Sequence, residues 1–245
     1  MSNALVISNV TIARGGRDVV RDTSITVPAG EVTSLLGPNG AGKSSLVLAI
    51  GGVIPVAGGA INMDGDDVTN LRPEKIRALG ISVAPEGHRI LTDMTVADNL
   101  RVAGSRLKKS EYKGNLDRVF DLFPELKDLT GRQAGKLSGG QQQMLALGQA
   151  LIDTPKYLVV DELSLGLAPV IVARLIPTLT EVAKSGIGVL LIEQFTTLAL
   201  SISQSASIMV RGRIRLQDSA ENLRANPGLI DEAYHLSAGE TMMTA

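Results

Sequence analysis

Short apolar runs bounded by polar residues or glycine recur along the chain and predict the strands of a buried sheet. The runs are residues 31–36, 81–84, 157–162 and 188–192, and they are rich in Val, Leu and Ile. Runs of this length with little alternation between apolar and polar positions are typical of parallel strands that are covered on both faces. We therefore expect an α/β protein with these four runs in its central sheet.

Other strand-like segments lie at the two ends of the sequence. Residues 5–12 and 23–27 are separated by a turn-prone Arg-Gly-Gly-Arg-Asp segment and predict an N-terminal β layer. Residues 60–65 predict a short strand and a turn. Residues 207–210 and 213–217 predict a closing hairpin.

Helical periodicity is concentrated between residues 93 and 154. Residues 96–107 and 111–123 repeat apolar positions at helical spacing, and a further helix begins at 137–141 and stops before Pro155. We interpret residues 93–154 as a helical insertion. The predicted organisation is a core in two parts (1–92 and 155–217), this insertion, and C-terminal helices with a loose tail (218–245). Helices are also predicted at 45–50, 71–77 and 170–184.

Composition narrows the class of protein. Of 245 residues, 44% are hydrophobic but only 2% are aromatic, so aliphatic side chains build the core. The 24 basic and 25 acidic residues nearly cancel, which removes a global electrostatic argument for nucleic acid as a partner. No run approaches the ~18 to 20 apolar residues of a membrane-spanning helix, so we expect any membrane role to act through a partner. The chain has no cysteine, which excludes thiolate chemistry.

The segment after the run at 31–36 fits the phosphate-binding pattern G-x-x-x-x-G-K-[ST]. Its residues are Gly37, Pro38, Asn39, Gly40, Ala41, Gly42, Lys43 and Ser44, followed by Ser45. The glycines allow amide N–H groups to surround phosphate oxygens, Lys43 supplies a cation near the β and γ phosphates, and the Ser44 hydroxyl can ligate Mg²⁺. The plain alternative is a glycine-rich turn. A buried strand before the loop and a helix after it favour the nucleotide site.

Two more segments supply groups that phosphoryl transfer requires. Asp161, at the end of an apolar run, is placed to hold Mg²⁺, and Glu162 is the candidate that orients or deprotonates the attacking water. Alone, two acidic residues could simply end a strand at the surface. Ser138, Gly139, Gly140 and Gln141 at a helix start offer a hydroxyl and open amides to an anion, although an ordinary helix cap has the same pattern.

In this order, GPNGAGKS, LSGGQ and YLVVDE resemble the ATP-binding-cassette (ABC) ATPases, and the resemblance covers residues 5 to about 217. Residues 83–89, 137–146, 164–169 and 191–194 resemble the ATPase subunits of branched-chain amino acid importers and their amide or urea relatives. The resemblance implies a P-loop NTPase core with an antiparallel β layer and an inserted helical subdomain. It also implies that ATP and Mg²⁺ are bound, with Ser44, Asp161 and Glu86 at the metal.

The resemblance further implies a head-to-tail dimer with a second ATPase subunit, either identical or paralogous. Ser138–Gln141 of one subunit would close over the nucleotide that Gly37–Ser45 of the other subunit holds. The expected partners are integral-membrane permease subunits and, indirectly, a solute-binding protein, with no nucleic acid. The chain is thus expected in the cytoplasm, peripheral on the inner face of the cell membrane.

Several positions depart from the general cassette pattern. Glu86 stands where a glutamine usually contacts Mg²⁺, and Gln194 stands where a histidine usually contacts the γ-phosphate; both substitutions resemble the importer subfamily. Arg14 stands where an aromatic ring usually stacks on adenine, which puts the base preference in question. Leu163 replaces the usual proline after Glu162, and Ala168 replaces an aspartate that is common in the next loop.

The sequence therefore predicts an ATPase subunit of an importer for a small polar solute, most readily an amino acid. The alternatives within the fold are an ATPase of another transporter class (urea or amide import, or export) and a soluble cassette protein outside transport. A third is a nucleotide-binding regulatory module without turnover, against which Lys43, Asp161 and Glu162 argue. Neither His88 nor His235 is predicted to be catalytic.

Overall fold

The computed structural model describes residues 3–87 and 89–239, with side chains up to residue 235. Within these residues the strands are β1 (Ala4–Arg14), β2 (Arg17–Pro28), β3 (Val32–Leu36), β4 (Gly58–Met63), β5 (Asp66–Asp67), β6 (Ile81–Ala84), β7 (Tyr157–Asp161), β8 (Gly188–Glu193), β9 (Ser205–Val210) and β10 (Arg213–Ser219). The α-helices are α1 (Lys43–Ile50), α2 (Pro73–Leu79), α3 (Val96–Ala103), α4 (Lys109–Leu122), α5 (Pro124–Asp128), α6 (Gly139–Leu151), α7 (Pro169–Lys184), α8 (Thr196–Leu200), α9 (Ala220–Ala225) and α10 (Gly228–Gly239).

A six-stranded sheet with the order β10-β9-β3-β8-β7-β6 forms the centre of the molecule. Its five strands from β9 to β6 run parallel, and β10 pairs antiparallel with β9. Every residue of β3, β7 and β8 is buried, as expected for strands covered on both faces. The buried strands and the closing hairpin predicted from the sequence are confirmed.

A second, four-stranded antiparallel sheet has the order β2-β1-β4-β5. Its apolar face packs on α1 and on one face of the central sheet. The phenol of Tyr157, itself 1% exposed, donates a hydrogen bond of 2.6 Å to the Asp64 carboxylate in the β4–β5 turn. Lys156 bonds the other oxygen of that carboxylate at 2.8 Å, so the N-terminal end of β7 is fastened to the antiparallel layer.

Helices α3 to α6 occupy the chain between β6 and β7, and α6 packs against the core with Met144, Leu147 and Leu151 buried. Helix α3 ends at Ala103 rather than at residue 107, because Gly104 caps it. A side chain at position 104 would meet the ring of Tyr112. Short elements such as β5, α5 and α8 were not predicted. The α/β class with an antiparallel layer and helices between two core strands is confirmed, whereas the domain boundaries stay predictions.

Within residues 3–87 and 89–239, every helix is too short or too polar to cross a membrane.

Candidate active site

The phosphate-binding loop leaves the central strand β3 and enters α1 at Lys43. Gly42 at the helix start has φ 108°, a conformation that favours glycine. A Cβ atom at Gly42 would lie 2.6 Å from the Val19 carbonyl oxygen, and one at Gly37 would lie 2.3 Å from that of Met209. Gly42 is therefore required by backbone conformation and by close contact with β2, and Gly37 is required by close contact with β9.

The ammonium group of Lys43 points back into this loop. Its Nζ donates hydrogen bonds to the carbonyl oxygens of Gly37 (2.8 Å) and Pro38 (3.1 Å) and lies 3.9 Å from Glu162 Oε1. Burial lowers the pKa of Lys43, and the carboxylates of Glu162 and Asp161 oppose that shift. The lysine is thus a cation already desolvated for contact with an anionic ligand.

Asp161 ends β7 beside the loop and is 4% exposed. Burial, followed by the charges of Glu162 and Glu86, raises its pKa to about 6, and a hydrogen bond from Ser44 opposes the rise. Its Oδ1 atom is buried without a hydrogen-bond partner. Since buried acceptors are normally satisfied, this oxygen fits a position that binds a cation directly or through water.

Glu162 follows Asp161 with φ 53°, an uncommon conformation for a non-glycine residue. Its N–H donates to the carbonyl oxygen of Ile192 in the neighbouring strand at 3.0 Å, which holds the turn against β8. The side chain is 11% exposed and borders the loop. The backbone thus directs this carboxylate toward the ligand side of the sheet instead of along the strand.

These groups line a cavity of about 460 Å³ at the carboxyl ends of the parallel strands. Its walls combine the phosphate-binding loop, the two acidic segments and the end of the antiparallel layer: Arg14, Val19, Asn39, Gly40, Ala41, Gly42, Lys43, Ser44, Ser45, Glu86, Glu162 and Leu165. Arg14 and Glu86, which are far apart in sequence, are both exposed at this cavity. The volume and the polar lining suit a nucleotide.

The predicted signature segment lies elsewhere on the chain's surface. Ser138 caps α6: its Oγ accepts from the Gln141 N–H at 3.4 Å, and Gln141 Oε1 accepts from the Ser138 N–H at 3.0 Å. Ser138 and Gly139 are exposed, whereas Gly140 packs on Ile171 so closely that a Cβ would lie 2.6 Å from its Cγ2. Residues 138–141 are not among the lining residues of the nucleotide cavity.

Gln194 directly follows β8 and is exposed. The residue before it, Glu193, is a site component that sequence reasoning missed. Glu193 is 1% exposed, and its carboxylate accepts hydrogen bonds from the N–H and the hydroxyl of Ser164. An acidic residue that ends a wholly apolar strand was the available signal, the same one that identified Asp161. Of the two histidines, His88 lies outside the described residues, and His235 is exposed on α10.

The fold and this site define an ATP-binding cassette. The family model for the ABC transporter matches residues 20–164, and the chain belongs to that family and is an ATP-binding-cassette ATPase. The chain is 37% identical to a high-affinity branched-chain amino acid transport ATP-binding protein, BraG, from Pseudomonas aeruginosa; the match covers 93% of the chain and 97% of BraG.

Two further relatives are named for amino acid transport and for export. A probable branched-chain amino acid transport ATP-binding protein, LivF, from Archaeoglobus fulgidus is 34% identical, over 84% of the chain and 87% of LivF. The lipopolysaccharide export system ATP-binding protein LptB from Escherichia coli is 31% identical, over 86% of the chain and 88% of LptB. Among solved structures, an ATP-binding cassette of an ABC transporter in its ADP conformation superposes with TM-score 0.84 at 27% identity, over 94% of the chain and 98% of that structure.

Proposed function

We propose that this chain is the ATP-hydrolysing subunit of an importer that takes up branched-chain or other amino acids. The main support is the convergence of Lys43, Glu86 and Glu162 with the phosphate-binding loop on one cavity. Support for the solute comes from BraG and LivF, whose similarity extends over most of the chain.

In this proposal each group around the cavity has a distinct role. The loop amides and Lys43 bind the β and γ phosphates, and Glu162 orients or deprotonates the attacking water. Gln194 donates a hydrogen bond toward the γ-phosphate, a role its amide can fill without carrying a proton. Arg14 lies where the base enters and stacks its guanidinium on the ring.

Ser44, Asp161 and Glu86 would hold Mg²⁺. The buried, unpartnered Oδ1 of Asp161 and the hydroxyl of Ser44 provide the hard oxygen ligands that this cation prefers. When bound, the ion neutralises charge on the phosphates. Among residues 3–87 and 89–239, no group of three or more His, Cys, Asp or Glu side chains is placed to hold a metal ion.

The separation of the signature segment from the cavity supports a head-to-tail dimer. Ser138–Gln141 are absent from the walls of the site in their own chain, and in the proposed dimer a second subunit would supply them from its exposed α6 start. Leu165 at the cavity wall, Val170 in the first turn of α7 and Phe195 after the end of β8 have apolar side chains that are 47%, 74% and 59% exposed, which favours burial against that subunit.

A groove beside the nucleotide cavity is the proposed docking site for the permease. It has a volume of about 270 Å³ and is lined by apolar residues of α1, α2 and β6 together with Arg77, Pro85 and Arg89. Leu91 and Met94 nearby are 42% and 38% exposed, whereas Ile90 packs on the core. Because Pro85 directly precedes Glu86 of the nucleotide cavity, a membrane partner bound here would be coupled to the nucleotide site. Binding to this partner would also place the chain on the inner face of the membrane.

Uptake in cells tests this function. A strain that lacks the chain is complemented with the parent or with Glu162→Gln, and uptake of labelled leucine and of urea is measured. Leucine uptake restored only by the parent supports the proposal. Restored urea uptake alone, or unchanged uptake of both solutes after deletion, would contradict amino acid import. ATP turnover by the purified chain separately excludes a regulatory module.

A further inference from the structure

Glu193 is a carboxylate buried at the centre of the sheet. It ends β8, pairs in register with Leu36 of β3, and is 1% exposed. Its Oε1 accepts from the Ser164 N–H (3.0 Å), and its Oε2 accepts from the Ser164 hydroxyl (2.8 Å) and the Gln194 N–H (3.2 Å). The Phe195 N–H also donates to this side chain. Burial raises the pKa of Glu193, and these hydrogen bonds oppose the rise.

These bonds connect two loops that carry reactive groups. Ser164 lies two residues after Glu162, and Gln194 directly follows Glu193. The Glu162 N–H bonds the carbonyl oxygen of Ile192, so the loop after β7 is fixed to the end of β8 on both sides of Leu163. Glu162 is held with φ 53°, and such a conformation persists where surrounding contacts impose it.

We propose that Glu193 is a positioning residue of the ATPase reaction, which sets the water-activating Glu162 and the γ-phosphate contact Gln194 in a fixed relative position. The inference rests on the proposed roles of those two residues. Glu193 itself does not touch the nucleotide in this scheme. It acts by holding the backbone on either side of the reacting phosphate.

The chemistry of the site explains why a carboxylate serves here. The Ser164 N–H, the Gln194 N–H and the Phe195 N–H converge on it with one hydroxyl, and an ionised carboxylate only accepts hydrogen bonds. A glutamine of the same size would turn an NH₂ group toward at least one backbone N–H. The hydroxyl of Ser164 can rotate to adapt, but the backbone donors cannot.

Turnover and nucleotide affinity, measured separately on the full-length chain, test the inference. Glu193→Gln should lower kcat on the order of 10- to 100-fold, since misplacement of a reacting group by about 1 Å has effects of this size. Its Kd for Mg²⁺-ATP should stay within about threefold of the parent value, because the phosphate-binding loop is unchanged. Glu193→Asp, which keeps the charge, should retain more activity than Glu193→Ala.

Ser164→Ala provides a milder second variant, with an expected kcat loss of about 3- to 10-fold. Combined with Glu193→Gln it should add little, because both substitutions disrupt the same contact. Ser203→Ala is the matched control: it removes a buried hydroxyl that bonds the Ala199 carbonyl oxygen and the Ser34 hydroxyl. Because neither Ser34 nor Ser203 lines the nucleotide cavity, turnover should be unchanged.

The outcomes separate this inference from the proposed function. A parental kcat in Glu193→Gln would overturn the positioning role, and Ser164→Ala serves the same purpose if Glu193→Gln does not fold. If Glu162→Gln is inactive in the same experiment, the assignment of Glu162 as the base still stands. Equal losses of kcat and ATP affinity in the Ala, Asp and Gln variants would reduce Glu193 to a structural role and also overturn it. A Glu162→Gln protein with parental turnover would instead overturn the proposed function.

Discussion

Lys43 and Glu162 face each other at the nucleotide cavity, with Nζ and Oε1 3.9 Å apart. Both side chains are largely removed from water, at 3% and 11% exposure, so their charges interact more strongly than those of a surface pair. The lysine also bonds two carbonyl oxygens of its own loop. A phosphate that binds here must compete with these partners for the Lys43 ammonium group. Phosphate binding at Lys43 is thereby linked to the position of the proposed base, Glu162.

Lys43→Met is expected to weaken ATP binding by at least ~10-fold, since a charge-assisted contact to phosphate is lost. The free energy of unfolding should stay within about 1 kcal/mol of the parent value, because a desolvated ammonium contributes little net stability. Binding of a fluorescent ATP analogue and urea unfolding measure the two effects. Lys184→Ala, which changes an exposed lysine, is the control; equal ATP affinity in both variants would rule out the assigned role of Lys43.

Glu162→Gln is expected to keep ATP bound and to reduce turnover by ~10²- to 10⁴-fold, the usual contribution of a positioned general base. Closed dimers should then accumulate with Mg²⁺-ATP and be visible by size-exclusion chromatography. Adding Ser138→Arg should abolish the dimer and leave ATP bound, because the exposed start of α6 lies outside the cavity of its own chain. A variant that binds ATP but stays monomeric before Ser138→Arg is added would contradict the dimer alone.

The raised pKa of Asp161 predicts a pH effect on stability in the presence of EDTA. The group titrates near 3.8 when unfolded and near 6 when folded, so the native state binds more protons between these values. Stability must therefore fall as pH rises through this interval. The side chain of Asp161→Asn cannot titrate. As pH rises from about 4 to about 7, the free energy of unfolding of this variant should therefore increase by up to about 3 kcal/mol relative to that of the parent. Urea unfolding of both proteins at both pH values checks this, and an unchanged difference would contradict it.

Arg89→Glu combined with Leu91→Asp should uncouple the ATPase from membrane partners. Both residues are exposed beside the proposed docking groove, so the charges added here meet the partner and not the core. Basal hydrolysis should stay within about twofold of the parent rate, as for surface changes in general. Co-purification with the permease is the measurement, and Arg213→Glu on β10 is the charge control. If co-purification survives the double substitution, the docking surface lies elsewhere.

Arg77 connects α2 to the helical segment and should contribute to stability. Its Nε donates to Asp153 at 2.7 Å, and its Nη2 donates to the carbonyl oxygens of Ala103 (3.2 Å) and Gln149 (2.9 Å). Arg77→Ala leaves the buried Asp153 with Arg106 at 3.5 Å as a weaker partner. We expect a loss of about 1 to 3 kcal/mol in urea unfolding. Arg106→Ala is a matched comparison and should cost less; a larger loss there would assign the main contact to Arg106.

The sequence was most informative where one residue type is required by local chemistry. The glycines at 37 and 42 could be predicted because their loop lies close to neighbouring backbone, and Gly42 also adopts positive φ. Buried strands could be predicted because both of their faces are apolar. Lys43, Asp161 and Glu162 were found because charged residues directly adjoin such elements.

The acidic end of β8 marks Glu193, but its contact with Ser164 could not be predicted, because Ser164 is distant in sequence and is brought near by the pairing of β7 with β8. The short helix α8 was missed for a related reason: one turn of helix leaves too few positions to show periodicity. The neighbouring apolar residues Ile90 and Leu91 also differ in a way that the sequence does not show: Ile90 packs on the core while Leu91 stays exposed. Alternation within a loop carries no information about which side faces water.

Because Ser138 does not line the cavity of its own chain, the proposed active site is completed only when two chains associate. In the proposed head-to-tail arrangement an isolated chain holds two incomplete halves, so at low concentration the rate of hydrolysis should rise with the square of protein concentration. If a permease binds two chains side by side, the local concentration of each chain around the other is fixed and no longer depends on the bulk protein concentration. Membrane attachment would then switch on hydrolysis by proximity alone, before any change in the shape of either subunit.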